Sequence, residues 1–154
     1  MSSYTSATPW TNQFNHTLLI ACSDGRFSAQ LDNFCKEYLD VGSCDRFLAP
    51  GGIAGLQILS ECFYADKERI TLLVTHHAIR KIICVAHEDC GYYRDRYPGV
   101  DDLFPRQLED LRTVGESLHY WFSGMDVELV YASVTQDRYV QFVRVTPEGT
   151  PGLR

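Results

Sequence analysis

Apolar residues in this chain come in short runs, and their spacing changes from one segment to the next. Thr17–Cys22 is almost uniformly apolar, the pattern of a strand buried on both faces of a parallel sheet. From Phe27 to Asp40, the residues Phe27, Leu31, Phe34, Tyr38 and Leu39 fall at helical spacing, and Gly42 follows as a stop. Arg46–Ala49 reads as a second short strand, closed by Pro50-Gly51-Gly52. Ile53 to Ala78 is helical in character, in two pieces, with Asp66 as the expected N-cap of the later one. Lys81–Ala86 is a third buried strand. A loop containing Tyr97-Pro98-Gly99 leads to a long helix that Pro105 can open and that ends at Phe122 before Gly124. Val127–Val134 and Tyr139–Val145 complete the chain as two further strands.

Strands that alternate with helices predict an α/β fold. The expected sheet is central and mostly parallel, of about four strands plus an antiparallel edge strand, with helices on both faces. No repeat or linker divides the chain, so the organisation expected is an N-terminal arm (1–16), a single α/β domain (17–146) and a C-terminal tail (147–154). In such sheets ligands gather beyond the carboxyl ends of the strands.

Composition narrows the function classes. With 154 residues and 45% hydrophobic content, one well-covered core is affordable. The net charge of −6 comes with no clustered positive patch, which argues against a nucleic-acid surface and leaves small solutes or proteins as partners. Apolar runs of about five residues fall far short of the roughly 20 that span a bilayer, so no membrane partner is expected. The polar first fifteen residues do not read as a secretory signal, and a cytoplasmic location is the expectation. The six cysteines are read as reduced, because Cys35, Cys62 and Cys84 lie in helix- or strand-like segments of a core that needs no staples.

The chemistry sits at two strand ends. Cys22-Ser23-Asp24-Gly25-Arg26 follows the first strand, and His87-Glu88-Asp89-Cys90-Gly91 follows the third. Two thiolates and an imidazole form a Cys2His set that can hold Zn2+ with the fourth position open to water or a carboxylate. Asp24 and Arg26, two apart, can pair so that the carboxylate stays ionised. Cys90 to Arg96 also has the Cys-x5-Arg spacing of a phosphatase loop, but bulky tyrosines and an acid fill the interior, which argues against a phosphate cradle.

Together, Cys-x-Asp-x-Arg and His-x-x-Cys-Gly resemble the β-class carbonic anhydrases, over about Gln13 to Val145. The resemblance implies one Zn2+ per chain on Cys22, His87 and Cys90, which makes 17–146 a zinc-binding domain, with Asp24 and Arg26 as a catalytic dyad that orients zinc-bound hydroxide toward carbon dioxide. It implies that Asp24 can become a fourth ligand in a closed state. Gln13, Phe47 and Gly91 are implied as substrate-binding residues, Gln13 acting across a subunit boundary. A homodimer or a multiple of dimers is implied as well. Two departures bear on the substrate: Ala49-Pro50-Gly51-Gly52-Ile53 replaces an Arg-Asn-Ala-Gly-Asn type segment, and Thr71-Leu72 stands where many members have Glu-Tyr. They leave open a related zinc hydrolase of carbonyl sulfide or carbon disulfide, or a non-catalytic zinc-bearing assembly protein. His76-His77 is read as structural, Asp101-Asp102 as a solvated loop or helix cap, and Tyr92, Tyr93 and Tyr97 as lining the site mouth or a subunit contact.

Overall fold

A computed structural model describes residues 3–39 and 43–146. The expected helix stop at Gly42 and the tail 147–154 lie outside the described residues. The elements are β1 (Thr17–Cys22), α1 (Ser28–Asn33), β2 (Asp45–Ala49), α2 (Phe63–His76), β3 (Lys81–His87), α3 (Gly91–Arg96), α4 (Phe104–Trp121), β4 (Asp126–Val134) and β5 (Val140–Arg144). They form one five-stranded sheet in the order β2-β1-β3-β4-β5, parallel throughout except for the antiparallel β4–β5 pair.

The uniform apolar runs mark the central strands. Leu18, Leu19, Ile20, Ile82, Ile83 and Cys84 have no solvent exposure, because β1 and β3 are covered on both faces. Each buried aliphatic side chain of this size contributes about 1.5–3 kcal/mol relative to exposure. On one face, Leu18, Ile20, Ile82 and Cys84 meet Ile70 of α2 and Leu108, Leu111, Val114 and Leu118 of α4. On the other, Leu19, Ala21, Ile83 and Val85 meet Leu31, Phe34 and Cys35.

Local detail departs from the sequence reading where tertiary packing overrides propensity. The expected Phe27–Asp40 helix is a 3-10 turn (Gly25–Phe27), then α1, then a five-residue π turn (Phe34–Tyr38). Asp66 lies in the first turn of α2, whose N-cap is Cys62, so it does not cap that helix. Gly91–Arg96, read as part of a loop, forms the short helix α3.

Parallel register carries the two motifs to one place. Ala21 pairs with Val85, which sets Cys22 level with Ala86 and one residue short of His87. The Cys22 and His87 motifs therefore leave the sheet side by side at its carboxyl edge.

Candidate metal centre

Cys22 ends β1, His87 ends β3, and Cys90 stands immediately before α3, so three elements position the three side chains. Their donor atoms all lie within 4.8 Å of one another. The two sulfurs are 3.9 Å apart, far beyond a disulfide bond. Tetrahedral zinc with Zn–S bonds near 2.3 Å wants about 3.8 Å between its sulfurs. Cys22 also receives the backbone N–H of Gly51 at 3.3 Å. The hydrogen bond from Cys90, helped by Gly51 and opposed by burial, draws the Cys22 pKa down to about 4, while Cys90 is pushed up as keeper of the shared proton.

His87 supplies the sharpest test of whether a metal fits. Its Nδ1 lies 2.8 Å from the Glu88 carbonyl oxygen, which can only accept, so Nδ1 carries a proton. Burial opposes a second proton while neighbouring Cys22 favours it, and in the neutral ring, the form that ligates a metal, Nε2 holds the lone pair. Nε2 is buried and has no hydrogen-bond partner among the described residues. A buried acceptor left unpaired is costly unless something occupies it. A cation held between Nε2 and the two sulfurs satisfies it.

Around this group lies an ion-pair network. Asp24 Oδ1 accepts from Arg26 N (2.9 Å) and Nε (3.1 Å), and Oδ2 accepts from Nη2 at 2.6 Å. The Arg26 hydrogen bonds hold the Asp24 carboxyl down to about 2, so it is ionised throughout the neutral range. Because that pKa is depressed, the pair's stabilisation is present above the ordinary carboxylate range and is lost as pH falls toward 2. Arg26 reaches onward to the β3 loop, donating from Nη1 to Asp89 Oδ2 and from Nη2 to the Asp89 carbonyl, each at 3.0 Å. Asp89 has a left-handed backbone (φ 56°) and also accepts from Arg94.

Sequence reasoning missed Asp89, Gln107 and Tyr131. Gln107 is 2% exposed on α4 and donates from Nε2 to the His87 carbonyl at 2.9 Å, while the Tyr131 hydroxyl donates to Gln107 Oε1 at 3.1 Å. A glutamine on the apolar stripe with Leu108 and Leu111 was the available signal. Asp89 offered none, since it is an unconstrained position within His-x-x-Cys.

The other expected residues are distributed as follows. Gly91 opens α3, and a side chain there would meet open space. Phe47 packs against the α2 and α4 core, two residues before β2 ends. Gln13 precedes β1 at the opposite edge of the sheet from Cys22, with the six residues of β1 at about 3.3 Å each lying between them. Tyr93 is 1% exposed behind Cys90, with its hydroxyl 2.8 Å from Asp110, so it is core. Tyr92 lies against Gly51. His77 pairs with Asp45 and stacks on Phe14, a structural role at the far edge. Asp102 accepts from the Phe104 N–H at the start of α4. A cleft of about 590 Å³ opens beside the β3 loop, lined by Glu88, Asp89, Arg94, Gln107 and Tyr131 among others, but by none of the three metal-donor side chains. The chemistry points to the donor group rather than to the larger cleft.

The segment Ala49–Ile53 builds the wall behind Cys22. Gly51 and Gly52 both adopt positive φ (78° and 57°), which glycine tolerates without a Cβ penalty. A Cβ on Gly52 would stand 2.8 Å from the Cys22 nitrogen and 2.9 Å from the Ala21 carbonyl carbon, both rigid β1 backbone. Gly52→Ala is therefore expected to cost about 2–5 kcal/mol from left-handed strain and overpacking, and to weaken metal binding through displaced Cys22. Thermal melts and zinc titration check this, with Gly25→Ala, whose Cβ meets nothing within 4 Å, as the control. Wild-type behaviour of Gly52→Ala would show that the turn does not hold the strand end.

Fold and donor geometry define an α/β protein with a Cys2His group, able to hold a metal, at the carboxyl edge of its sheet. The chain belongs to the family described as "Putative carbonic anhydrase", whose model matches residues 12–144. Its fold is β-carbonic-anhydrase-like. The chain is similar to the carbonic anhydrase from Glaciozyma antarctica, at 17% identity over 86% of this chain and 82% of that one, with a TM-score of 0.55. It is similar to the carbonic anhydrase from Streptococcus mutans, at 15% identity over 90% and 87%, with a TM-score of 0.54. A tetrameric β-carbonic anhydrase from Sordaria macrospora shares 15% identity over 85% and 81%, with a TM-score of 0.51. No curated protein matches the chain in sequence.

Proposed function

We propose that this chain is a zinc enzyme that reversibly hydrates carbon dioxide to bicarbonate, with Cys22, His87 and Cys90 as ligands of one Zn2+. The observation that carries the reading is the unpaired, buried Nε2 of His87 facing two sulfurs at tetrahedral spacing. Bound there, zinc would serve as a Lewis acid that makes water acidic and nucleophilic at neutral pH.

The remaining work falls to the chain. An ionised carboxylate offers about four acceptor positions and no donor. Three N–H groups of Arg26 make four contacts with Asp24, two at each oxygen, and because Nε–H is shared between Oδ1 and Oδ2 it leaves acceptor capacity for the O–H of the attacking water. Asp24 thus fixes which lone pair of that water faces the carbon, and Arg26 fixes Asp24. With both carboxylate oxygens held by Arg26, Asp24 is outside the three-membered donor group, which supports an open rather than a closed state.

Open space beside Gly91 leaves room for a small linear substrate, and Phe47, partly buried against the α2 and α4 core, would supply the apolar wall. Gln13, at the far edge of its own sheet from Cys22, would reach a metal site only in a second copy, so its role in substrate binding requires a homodimer or a multiple of dimers. The likeness to a tetrameric relative points the same way. All six cysteines are free thiols, which supports the cytoplasm as the location. Among the described residues no helix is long and apolar enough to cross a membrane.

Stopped-flow hydration of carbon dioxide by zinc-loaded protein tests the activity, with sedimentation of the same material testing self-association. Zinc bound at one per chain with no hydration above the buffer rate would sink the reading. Sulfide release from carbonyl sulfide or carbon disulfide would then redirect it, since the departure at Ala49–Ile53 borders Cys22.

A further inference from the structure

A second pair of thiols lies away from the metal centre, on the face of the sheet that α1 covers. Side chains of β2 alternate between faces: Phe47 packs on the α2 and α4 side, so Cys44, Arg46 and Leu48 fall toward α1. Cys44 packs there against the cluster that contains Cys35. Along the helical segment Cys35 follows Asp32 by three residues, one turn, and along the strand Arg46 follows Cys44 by two. Helix and strand therefore meet at two neighbouring rungs, an Asp32–Arg46 ion pair at 2.5 Å and the Cys35 and Cys44 side chains, which belong to one packed cluster.

Access and charge make the two sulfurs unequal. Cys35 is 2% exposed, whereas Cys44 is only half-buried. The neighbouring Cys35 thiol and the Arg46 charge outweigh burial and draw Cys44 down to about 7, and Cys35 is pushed up. A thiolate that is partly accessible beside a guanidinium, with a second thiol in the same packed cluster, is the arrangement that thiol–disulfide exchange requires.

We propose that Cys44 and Cys35 form a redox-active dithiol that exchanges with small-molecule disulfides, Cys44 as the attacking sulfur and Cys35 as the resolving one. In the first step the Cys44 thiolate attacks one sulfur of a disulfide RS–SR. A Cys44–S–SR bond forms, the S–S bond of the reagent breaks, and RS⁻ leaves and takes up a proton. Cys35 then gives its proton to solvent and attacks Cys44 Sγ, releasing the second RS⁻, which is protonated in turn. Two protein thiols are oxidised to a Cys35–Cys44 disulfide, and RS–SR is reduced to two RSH. The product ties the π turn after α1 to the edge strand β2.

The test uses zinc-loaded protein, oxidised glutathione, alkylation of remaining thiols, and peptide mapping after trypsin. Cleavage after Arg26, Lys36, Arg46 and Lys67 places Cys35, Cys44 and the exposed Cys62 on three separate peptides, and Cys22, Cys84 and Cys90 on others. The readout is therefore independent of the zinc assignment. Expected is a disulfide joining peptides 27–36 and 37–46. Cys35→Ser should instead trap glutathione on Cys44, and Cys44→Ser should leave Cys35 as a free thiol. Glutathione accumulating on Cys62 while both peptides stay reduced would overturn the proposal, as would stable glutathionylation of Cys44 in the wild type without transfer to Cys35.

Discussion

Cys90→Ser should lose its metal. A serine hydroxyl stays protonated at neutral pH and is a hard oxygen donor, so it replaces a soft anionic ligand with a weak neutral one. Structural zinc sites gain about 10–16 kcal/mol from their donor sets. One ligand's share, about 3–4 kcal/mol, corresponds to a loss of roughly 10²–10³ in affinity. The substitution is nearly isosteric at a position 2% exposed, beside Tyr93 and Ala54, so the fold should survive and circular dichroism should stay unchanged. Metal analysis after dialysis against a chelator gives the answer. Zinc retained at the wild-type level would mean that Cys90 is not a ligand.

Asp24→Ala should separate metal binding from turnover. The carboxylate lies outside the group of three donors, so zinc content is expected to remain at one per chain. The water would lose the acceptor that aims it, and positioned proton acceptors contribute about 10²–10⁴-fold to rate. Hydration should fall by that factor in kcat/KM. Arg26 keeps its contacts to Asp89 and its own side chain is 58% exposed, so loss of the pair should lower thermal stability only slightly, even though the Asp24 side chain itself is 18% exposed. Wild-type hydration in the zinc-loaded variant would remove Asp24 from the mechanism. Loss of zinc together with rate would instead move it into the ligand set.

The two outcomes also divide the competing readings. A non-catalytic zinc protein would lose metal in Cys90→Ser yet show no hydration to lose in Asp24→Ala. An enzyme shows both effects, on different observables.

Much of the fold was legible because its signals are local. β1 and β3 announce themselves as uniform apolar runs, and β5 as a strand too close in sequence to β4 to cross over in parallel. The helix after β1 was harder to read, since helical spacing cannot distinguish a continuous α-helix from α1 followed by a π turn. Asp66 was misplaced as an N-cap because acidic residues favour both the cap and the first turn that follows it.

Of the candidate site, the sequence alone determined the donor types and their place at strand ends, because ligand chemistry and strand periodicity are written over a few neighbouring residues. Tertiary structure alone decided that Arg26 bridges to Asp89 across 63 positions of chain, and that Gln107 and Tyr131 support the His87 carbonyl. It also decided that His87 Nε2 is left without a partner beside two sulfurs. These contacts depend on the parallel register of β1 against β3 and the seating of α4 over the sheet. Such relations join residues far apart in sequence, and no local pattern encodes them.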